Sequence, residues 1–157
     1  MAASLFSTAD RPERDHLWGF YNCRDLLLLK SGRAIARSLK EYLQNAGIPT
    51  LAGAHHKFTD GGEGVTAVQI IGASCADVHT WPEFGTVVVR CFACGDKDKE
   101  VQKFLASMLS KFRPQDPYEI PDRNIPTSLP DAIPPNWRPL QVPKFADLKQ
   151  NGTGTHA

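Results

Sequence analysis

With 157 residues and a formal net charge of +1, the chain has the length of a single domain and no charge excess that favours nucleic acid or an anionic membrane surface. Its share of hydrophobic residues, 41%, is ordinary for a globular protein, and no apolar run has the length of a membrane-spanning helix. Because residues 1–14 lack the apolar centre of a signal peptide, we expect a cytoplasmic protein with free thiols.

The hydrophobic pattern, taken in chain order, predicts four strands and two helices. The aromatic-rich segment from His16 to Cys23 is predicted to be the first strand. Apolar residues at helical spacing predict the first helix from Gly32 to Ala46. Three further strands are predicted at residues 51–58, 65–71 and 86–93. Asp96 is then expected to cap a second helix, whose apolar stripe runs from Val101 to Phe112.

The resulting order, β-α-β-β-β-α, predicts an α+β fold. We expect a two-layer sandwich in which two helices cover one face of a mainly antiparallel sheet. The other face then needs cover, either from a second protomer or from the remainder of the chain.

The C-terminal part of the chain differs in character from this domain. Nine of the twelve prolines lie between Pro114 and Pro143, a density that disfavours helix and the interior of a sheet. We therefore predict a loose segment at 1–14, a domain at 15–112, and a proline-rich extension at 113–157 with a disordered end. This extension is expected to form a strap across the domain, and a proline-rich ligand for a partner domain is the alternative.

Candidate reactive residues occur where two neighbouring predicted strands end. Ser74 and His79 follow the strand at 65–71, and Cys94 directly follows the strand at 86–93. Neighbouring strand ends would bring a hydroxyl, an imidazole and a thiol together, which is a combination typical of covalent and acid–base chemistry.

The same region carries a family resemblance. The run His79-Thr80-Trp81-Pro82-Glu83, followed by Cys94-Gly95, resembles the signature of the small prokaryotic S-adenosylmethionine decarboxylases. The resemblance extends more loosely over residues 16–112 and implies the same two-layer fold. It also implies self-cleavage between Ala73 and Ser74, which converts Ser74 into a covalent pyruvoyl group. The family usually has Glu, His and Ser where this chain has Ala73, Cys75 and Thr66.

The resemblance also implies the reaction, which is decarboxylation of S-adenosylmethionine to the aminopropyl donor used in spermidine synthesis. Such a reaction needs an electron sink, and the pyruvoyl carbonyl provides one by forming a Schiff base with the substrate amine. The implied roles are stabilisation of the cleavage intermediate by Thr66, proton removal by His79, and return of a proton to Cα by Cys94. The substrate-binding residues, for adenine and ribose, are expected to be Trp81, Glu83 and Phe58. No metal is expected, and the active form is expected to be a homodimer of processed protomers with its sites at the subunit interface.

Two other functions remain open on the sequence. A diverged member of the family would decarboxylate ornithine or arginine, or would stay uncleaved and act as a binding protein. The pair Cys91-x-x-Cys94 also resembles a redox or metal motif, for which Cys75 and His79 would supply further zinc ligands.

Overall fold

Seven strands form one antiparallel sheet in the part of the chain that the structure, a computed structural model, describes: residues 14–93 and 95–143. The strands are β1 (Arg14–Cys23), β2 (Ala52–Lys57), β3 (Val65–Ile71), β4 (Ser74–Trp81), β5 (Thr86–Ala93), β6 (Pro114–Glu119) and β7 (Arg138–Pro139). Their order across the sheet is β2-β3-β4-β5-β1-β6-β7, and every neighbouring pair is antiparallel. The helices are α1 (Leu26–Leu29), α2 (Gly32–Asn45) and α3 (Asp98–Phe112).

The helices cover one face of the sheet, which confirms the predicted α+β sandwich. The side chains of strand β3 alternate between the two faces of the sheet, and those of Val65, Ala67 and Ile71 belong to the core. Helices α2 and α3 pack their apolar stripes against this face, since residues at helical spacing share one side of a helix. The fully buried members of these stripes include Ile35, Leu39, Leu43, Phe104 and Met108.

Strand β4 is absent from the predicted order of elements. Its side chains alternate between buried and half-buried, but Val78 is the one apolar residue larger than alanine among those facing the helices, which are Ser74, Ala76, Val78 and Thr80. A strand without large apolar residues gives a weak hydrophobic pattern, even when both of its neighbours are paired with it. The predicted cap at Asp96 is wrong, because α3 begins at Asp98 and its N-cap, Lys97, makes no side-chain capping bond.

Residues 114–119 form β6 beside β1, so the expectation that proline density keeps this segment out of the sheet is wrong there. The backbone oxygen of Pro117 accepts a hydrogen bond from the Leu140 amide at 2.9 Å. Since the amide and carbonyl of one residue point to the same side of an antiparallel strand, the N–H that Pro117 lacks would face β7. The ladder between β1 and β6 therefore loses no donor at this position.

The segment after β6 covers part of the second face of the sheet, as the predicted strap would. Tyr21, Ile120 and Trp137 form a second buried cluster on that face, with the rings of Tyr21 and Trp137 stacked 5.9 Å apart. This cluster does not cover the other half of the face, which is formed by β2, β3 and β4. The predicted disordered end lies outside the described residues, as does most of the predicted loose segment at 1–14. None of the helices in the described ranges is long and apolar enough to cross a membrane.

Candidate active site

A cavity of about 390 Å³ opens between the β2–β3 turn and the end of β4. That volume is in the range of small-molecule sites. Its walls contain five of the residues that the sequence singles out for function, together with the glycine-rich turn before β3 and Thr80. The five are Phe58, Thr66, His79, Trp81 and Glu83.

Thr66 and His79 face each other across β3 and β4, where they are directly paired in the strand register. The Thr66 hydroxyl oxygen and the Nδ1 atom of His79 are 3.0 Å apart. The Nε2 atom of the same ring lies 3.0 Å from a carboxylate oxygen of Asp77. The imidazole is thus held on both nitrogens, between a hydroxyl and a carboxylate.

Asp77 was not predicted as a site residue, although the sequence contains the signal for it. Residues two apart on a strand share a face, so a carboxylate at position 77 lies on the same side as His79. Asp77 is also paired in register with Arg90 on β5. The Arg90 guanidinium donates two hydrogen bonds to Asp15, at 2.9 and 3.0 Å. These bonds, with the nearby negative charges of Asp15 and Asp77, hold the pKa of Arg90 above its usual value.

The turn between β2 and β3 lines the cavity together with Trp81. A Cβ atom at Gly62 would overlap the carboxylate of Glu83, and one at Gly64 would overlap the backbone oxygen of Thr80. Glycine is therefore what allows the turn to approach so closely. Glu63 ties the turn to the rest of the domain through ion pairs with two lysines, Lys30 at 2.9 Å and Lys57 at 3.6 Å. The hydrogen bond from Lys30 is the main reason that the pKa of Glu63 is lowered.

Thr80 fixes the end of β4 beneath the cavity. Its hydroxyl donates to the backbone oxygen of Leu29 at 2.7 Å and accepts from the Val65 amide at 2.8 Å. Pro82 then opens a 3-10 turn, Pro82–Phe84, which carries Glu83. The Trp81 ring lies 6.3 Å from that of His79, so the aromatic and polar walls of the cavity are continuous.

Ser74 lies at the other end of β4. It is paired with Ile71 across a turn whose first residue, Gly72, has a positive φ of 72°. The residue is only 7% exposed. A regular strand rises about 3.3 Å per residue, so Ser74 and His79 are about 16 Å apart.

The expectation that strand ends bring Ser74 and His79 together is therefore wrong for the continuous chain. Because β4 is unbroken and the two residues are five positions apart, their side chains point to opposite faces. The end of β5 does lie beside Ser74, since Cys75 pairs with Phe92. Cys94 itself lies outside the described residues.

The cysteine motif receives no support from Cys91. Burial raises the pKa of this thiol to about 12, which disfavours the thiolate that redox and metal chemistry need. Within residues 14–93 and 95–143, no group of three or more His, Cys, Asp or Glu residues is arranged to hold a metal ion.

The described chain is thus a two-layer α+β domain with an aromatic and polar cavity of small-molecule size on the open face of its sheet. The particular family follows from a comparison of sequences. The family model for S-adenosylmethionine decarboxylase matches residues 15–119, and this chain belongs to that family.

Individual relatives agree with this assignment. The S-adenosylmethionine decarboxylase proenzyme of Archaeoglobus fulgidus is 32% identical over 96 residues, which is 60% of this chain and 81% of that protein. The proenzyme of Pyrobaculum islandicum is 32% identical over 101 residues, covering 64% and 78% of the two chains. The crystal structure of the adenosylmethionine decarboxylase from Aquifex aeolicus has the same fold, with a TM-score of 0.61 at 19% identity over 75% of this chain and 99% of that one.

Proposed function

We propose that this chain is a pyruvoyl-dependent S-adenosylmethionine decarboxylase, activated by self-cleavage between Ala73 and Ser74. The proposal rests on one observation, which is that five residues lie in the walls of a single cavity. These five are all of the described residues, apart from those at the cleavage point, to which the family resemblance gives a role. The relatives named S-adenosylmethionine decarboxylase proenzymes support both the substrate and the processing.

The turn between β3 and β4 fits the formation of a pyruvoyl group from Ser74. The Ala73–Ser74 bond lies where the turn meets the first residue of β4. A cut there leaves both strands whole, because β3 keeps its pairing with β2 and β4 keeps its pairing with β5. We expect the two product chains to stay associated through the ladder between β3 and β4.

Self-cleavage uses atoms of adjacent residues. The Ser74 hydroxyl oxygen attacks the carbonyl carbon of Ala73, and the peptide C–N bond breaks as an ester forms. Transfer of the Ser74 α-proton to the His79 imidazole of a second copy then expels the ester oxygen as the new carboxylate of Ala73. Addition of water and release of ammonia leave the pyruvoyl cap on the chain that begins at residue 74. No distant side chain is needed for the first attack, so the separation of Ser74 from His79 does not prevent it.

The pyruvoyl group, once formed, supplies an electrophilic carbonyl that accepts the electrons released as the substrate carboxylate leaves. In the cavity, the Trp81 ring offers a face for adenine, and the Glu83 carboxylate accepts hydrogen bonds from ribose hydroxyls. His79 is the proposed acceptor of the proton lost during cleavage, and the Thr66 hydroxyl stabilises the cleavage intermediate. Cys94 remains the proposed donor of the proton that replaces the lost carboxylate on Cα. The aminopropyl donor so formed would serve spermidine synthesis.

The distance between Ser74 and His79 favours a site shared between two copies of the chain. Each residue lies near an opposite end of β4, and a twofold axis across this strand would bring the Ser74 end of one copy to the His79 end of the other, where opening of the Ala73–Ser74 bond frees residue 74 to turn towards the open face. The exposed apolar side chains of Phe58 and Ile70, 44% and 46% exposed, offer contact area on the uncovered half of the sheet. A homodimer would thus complete two sites.

Release of carbon dioxide from purified protein tests the reaction. S-adenosylmethionine, ornithine and arginine are offered separately, with Ser74→Ala as the matched control that lacks the electron sink. We expect release from S-adenosylmethionine alone and none from the variant. Release from ornithine or arginine only would overturn the substrate assignment, and equal release by Ser74→Ala would overturn the pyruvoyl mechanism.

Mixing two inactive variants tests the shared site. Ser74→Ala and His79→Ala are each expected to be inactive. Random pairing of the two variants also gives mixed dimers, and in each mixed dimer one of the two sites has both residues intact. Co-expression of the two should therefore restore roughly a quarter of the wild-type rate. Mixed dimers that are isolated and still inactive would place the complete site within a single chain.

A further inference from the structure

We infer that Asp77 is a positioning residue that fixes the tautomer of His79 and thereby sets the direction of the Thr66 hydroxyl. The three side chains form a row on the open face of the sheet, carboxylate to imidazole to hydroxyl, with both contacts at 3.0 Å. The kinetic test of this inference rests on the proposed function, whereas its spectroscopic test is independent of that function.

The first step is the direction of the bond between Asp77 and His79. An ionised carboxylate has only acceptor atoms, so the Nε2 atom of His79 must carry a hydrogen and donate it. Arg90 is paired with Asp77 on the neighbouring strand, and Asp15 holds the Arg90 guanidinium in place. The Asp77 carboxylate thus lies beside a fixed positive charge. The Asp77 side chain is 15% exposed, so little water competes for it.

The second step follows at the other nitrogen of the ring. In neutral imidazole, a hydrogen on Nε2 leaves Nδ1 as an acceptor. The Thr66 hydroxyl is then the donor, and its hydrogen points at His79 and away from the cavity. Thr66 can accept hydrogen bonds from a ligand in this state but has no hydrogen to donate to one.

Protonation of His79 reverses this arrangement. Once Nδ1 carries a proton, it becomes the donor and the Thr66 oxygen becomes the acceptor. The hydroxyl hydrogen is then released towards the cavity, where it can stabilise negative charge on a bound group. Uptake of a proton by His79 is thus coupled to the appearance of a second donor at Thr66.

The surroundings of His79 contain few other groups that could set its tautomer. Trp81 on the same strand presents its ring at 6.3 Å, and Val88 is the residue paired with His79 on β5. His56, paired with Thr66 on the far side, has its ring against Phe58. Among the described residues, the contacts to His79 from a hydrogen-bonding side chain are those of Thr66 and Asp77.

Nitrogen-15 NMR of the histidine rings in the full-length protein tests the inference directly. His79 is assigned from the signals that disappear in His79→Gln. We expect the wild-type ring, in its neutral form, to carry its hydrogen on Nε2. In Asp77→Asn the side-chain amide can donate to Nε2, so a substantial share of the ring should move to the Nδ1–H tautomer. Unchanged signals from His55 and His56 would show that the sheet is intact.

Either of two results would overturn the inference. A wild-type ring with its hydrogen on Nδ1 does so without any variant, which keeps the test decisive even if Asp77→Asn does not fold. A tautomer that stays the same in folded Asp77→Asn does so as well.

Kinetics separate this inference from the proposed function. In a chain that decarboxylates S-adenosylmethionine, Asp77→Asn should lower kcat roughly tenfold or more, which is within the usual contribution of a positioned acid–base group, and change KM little. A wild-type chain with no decarboxylase activity but an Nε2–H ring would refute the proposed function and leave the role of Asp77 standing. If the enzyme is active and Asp77→Asn leaves kcat unchanged, the positioning of His79 by Asp77 has no part in catalysis.

Discussion

Gly62 and Glu83 lie in such close contact that the glycine leaves no room for a Cβ atom beside the carboxylate. The turn that carries Gly62 is fixed from outside the cavity by the ion pairs of Glu63 with Lys30 and Lys57. Two residues later, Gly64 makes a comparably close approach to the backbone of Thr80. The two glycines differ in what they meet, because one faces a movable side chain and the other a backbone atom.

Substitution of these glycines by alanine should therefore have different effects. In Gly62→Ala, the Glu83 carboxylate moves aside at little cost in folding free energy, but the proposed contact to the substrate ribose is lost, so KM should rise several-fold. In Gly64→Ala, the backbone of Thr80 cannot move without straining β4, and we expect a loss of about 1–3 kcal/mol in the free energy of unfolding. Urea unfolding and steady-state kinetics of both variants measure the two effects. An equal loss of stability in both would contradict this distinction.

His16 should make the protein less stable in mild acid. Its Nε2 atom is buried without a hydrogen-bond partner in the described chain, and burial is the main reason that the pKa of His16 lies below 6.5. Since the unfolded chain binds a proton at His16 more readily than the folded one, the free energy of unfolding should fall as the pH drops through 6.5. The decrease should stop below the pKa of His16 in the folded protein.

Urea unfolding at several pH values compares the wild type with His16→Gln. The difference between the two curves isolates His16 from the other histidines. We expect the variant to lose less stability between neutral pH and mild acid than the wild type. Parallel curves for the two proteins would show that His16 is not the cause.

Trp137 should anchor the C-terminal segment to the sheet. It is 6% exposed and packs its ring against Tyr21 and Tyr118, at 5.9 and 5.6 Å. Trp137→Ala should cost about 3–5 kcal/mol in the free energy of unfolding, which is typical for loss of a large buried ring. Val142→Ala, at an exposed position of the same segment, is the matched control and should change stability by less than about 0.5 kcal/mol. Similar, small effects for both would mean that the segment adds little to the fold.

Much of the fold could be predicted from the sequence, because the strands around the core contain large apolar residues at alternating positions. The segment Ser74–Trp81 has only Val78 of this kind on its helix-facing side, so the hydrophobic pattern does not predict the extent of β4. Residues 114–119 were missed for a different reason. Whether a proline weakens a sheet depends on which neighbour its missing N–H would face, and that is fixed by register, which composition does not reveal.

The candidate site, like the fold, could be predicted from the sequence only in part. The motif around His79 and Trp81 predicted the residues of the cavity, because its members lie close together in sequence at the end of β4. The distance from Ser74 to His79 could not be predicted, since it depends on β4 being unbroken between them. Asp77 was within reach of sequence reasoning, through its spacing from His79, but its contact to the ring requires the side-chain geometry of the folded strand.

The mass of the denatured protein, followed over time after purification, tests the central proposal most directly. We expect the wild type to yield two chains, residues 1–73 and 74–157, with the second chain resistant to labelling of its amino terminus because Ser74 has become a pyruvoyl group. Ser74→Ala should remain one chain of full length. A wild-type protein that stays intact after prolonged incubation, or one whose second chain begins with an ordinary serine, would contradict the pyruvoyl mechanism.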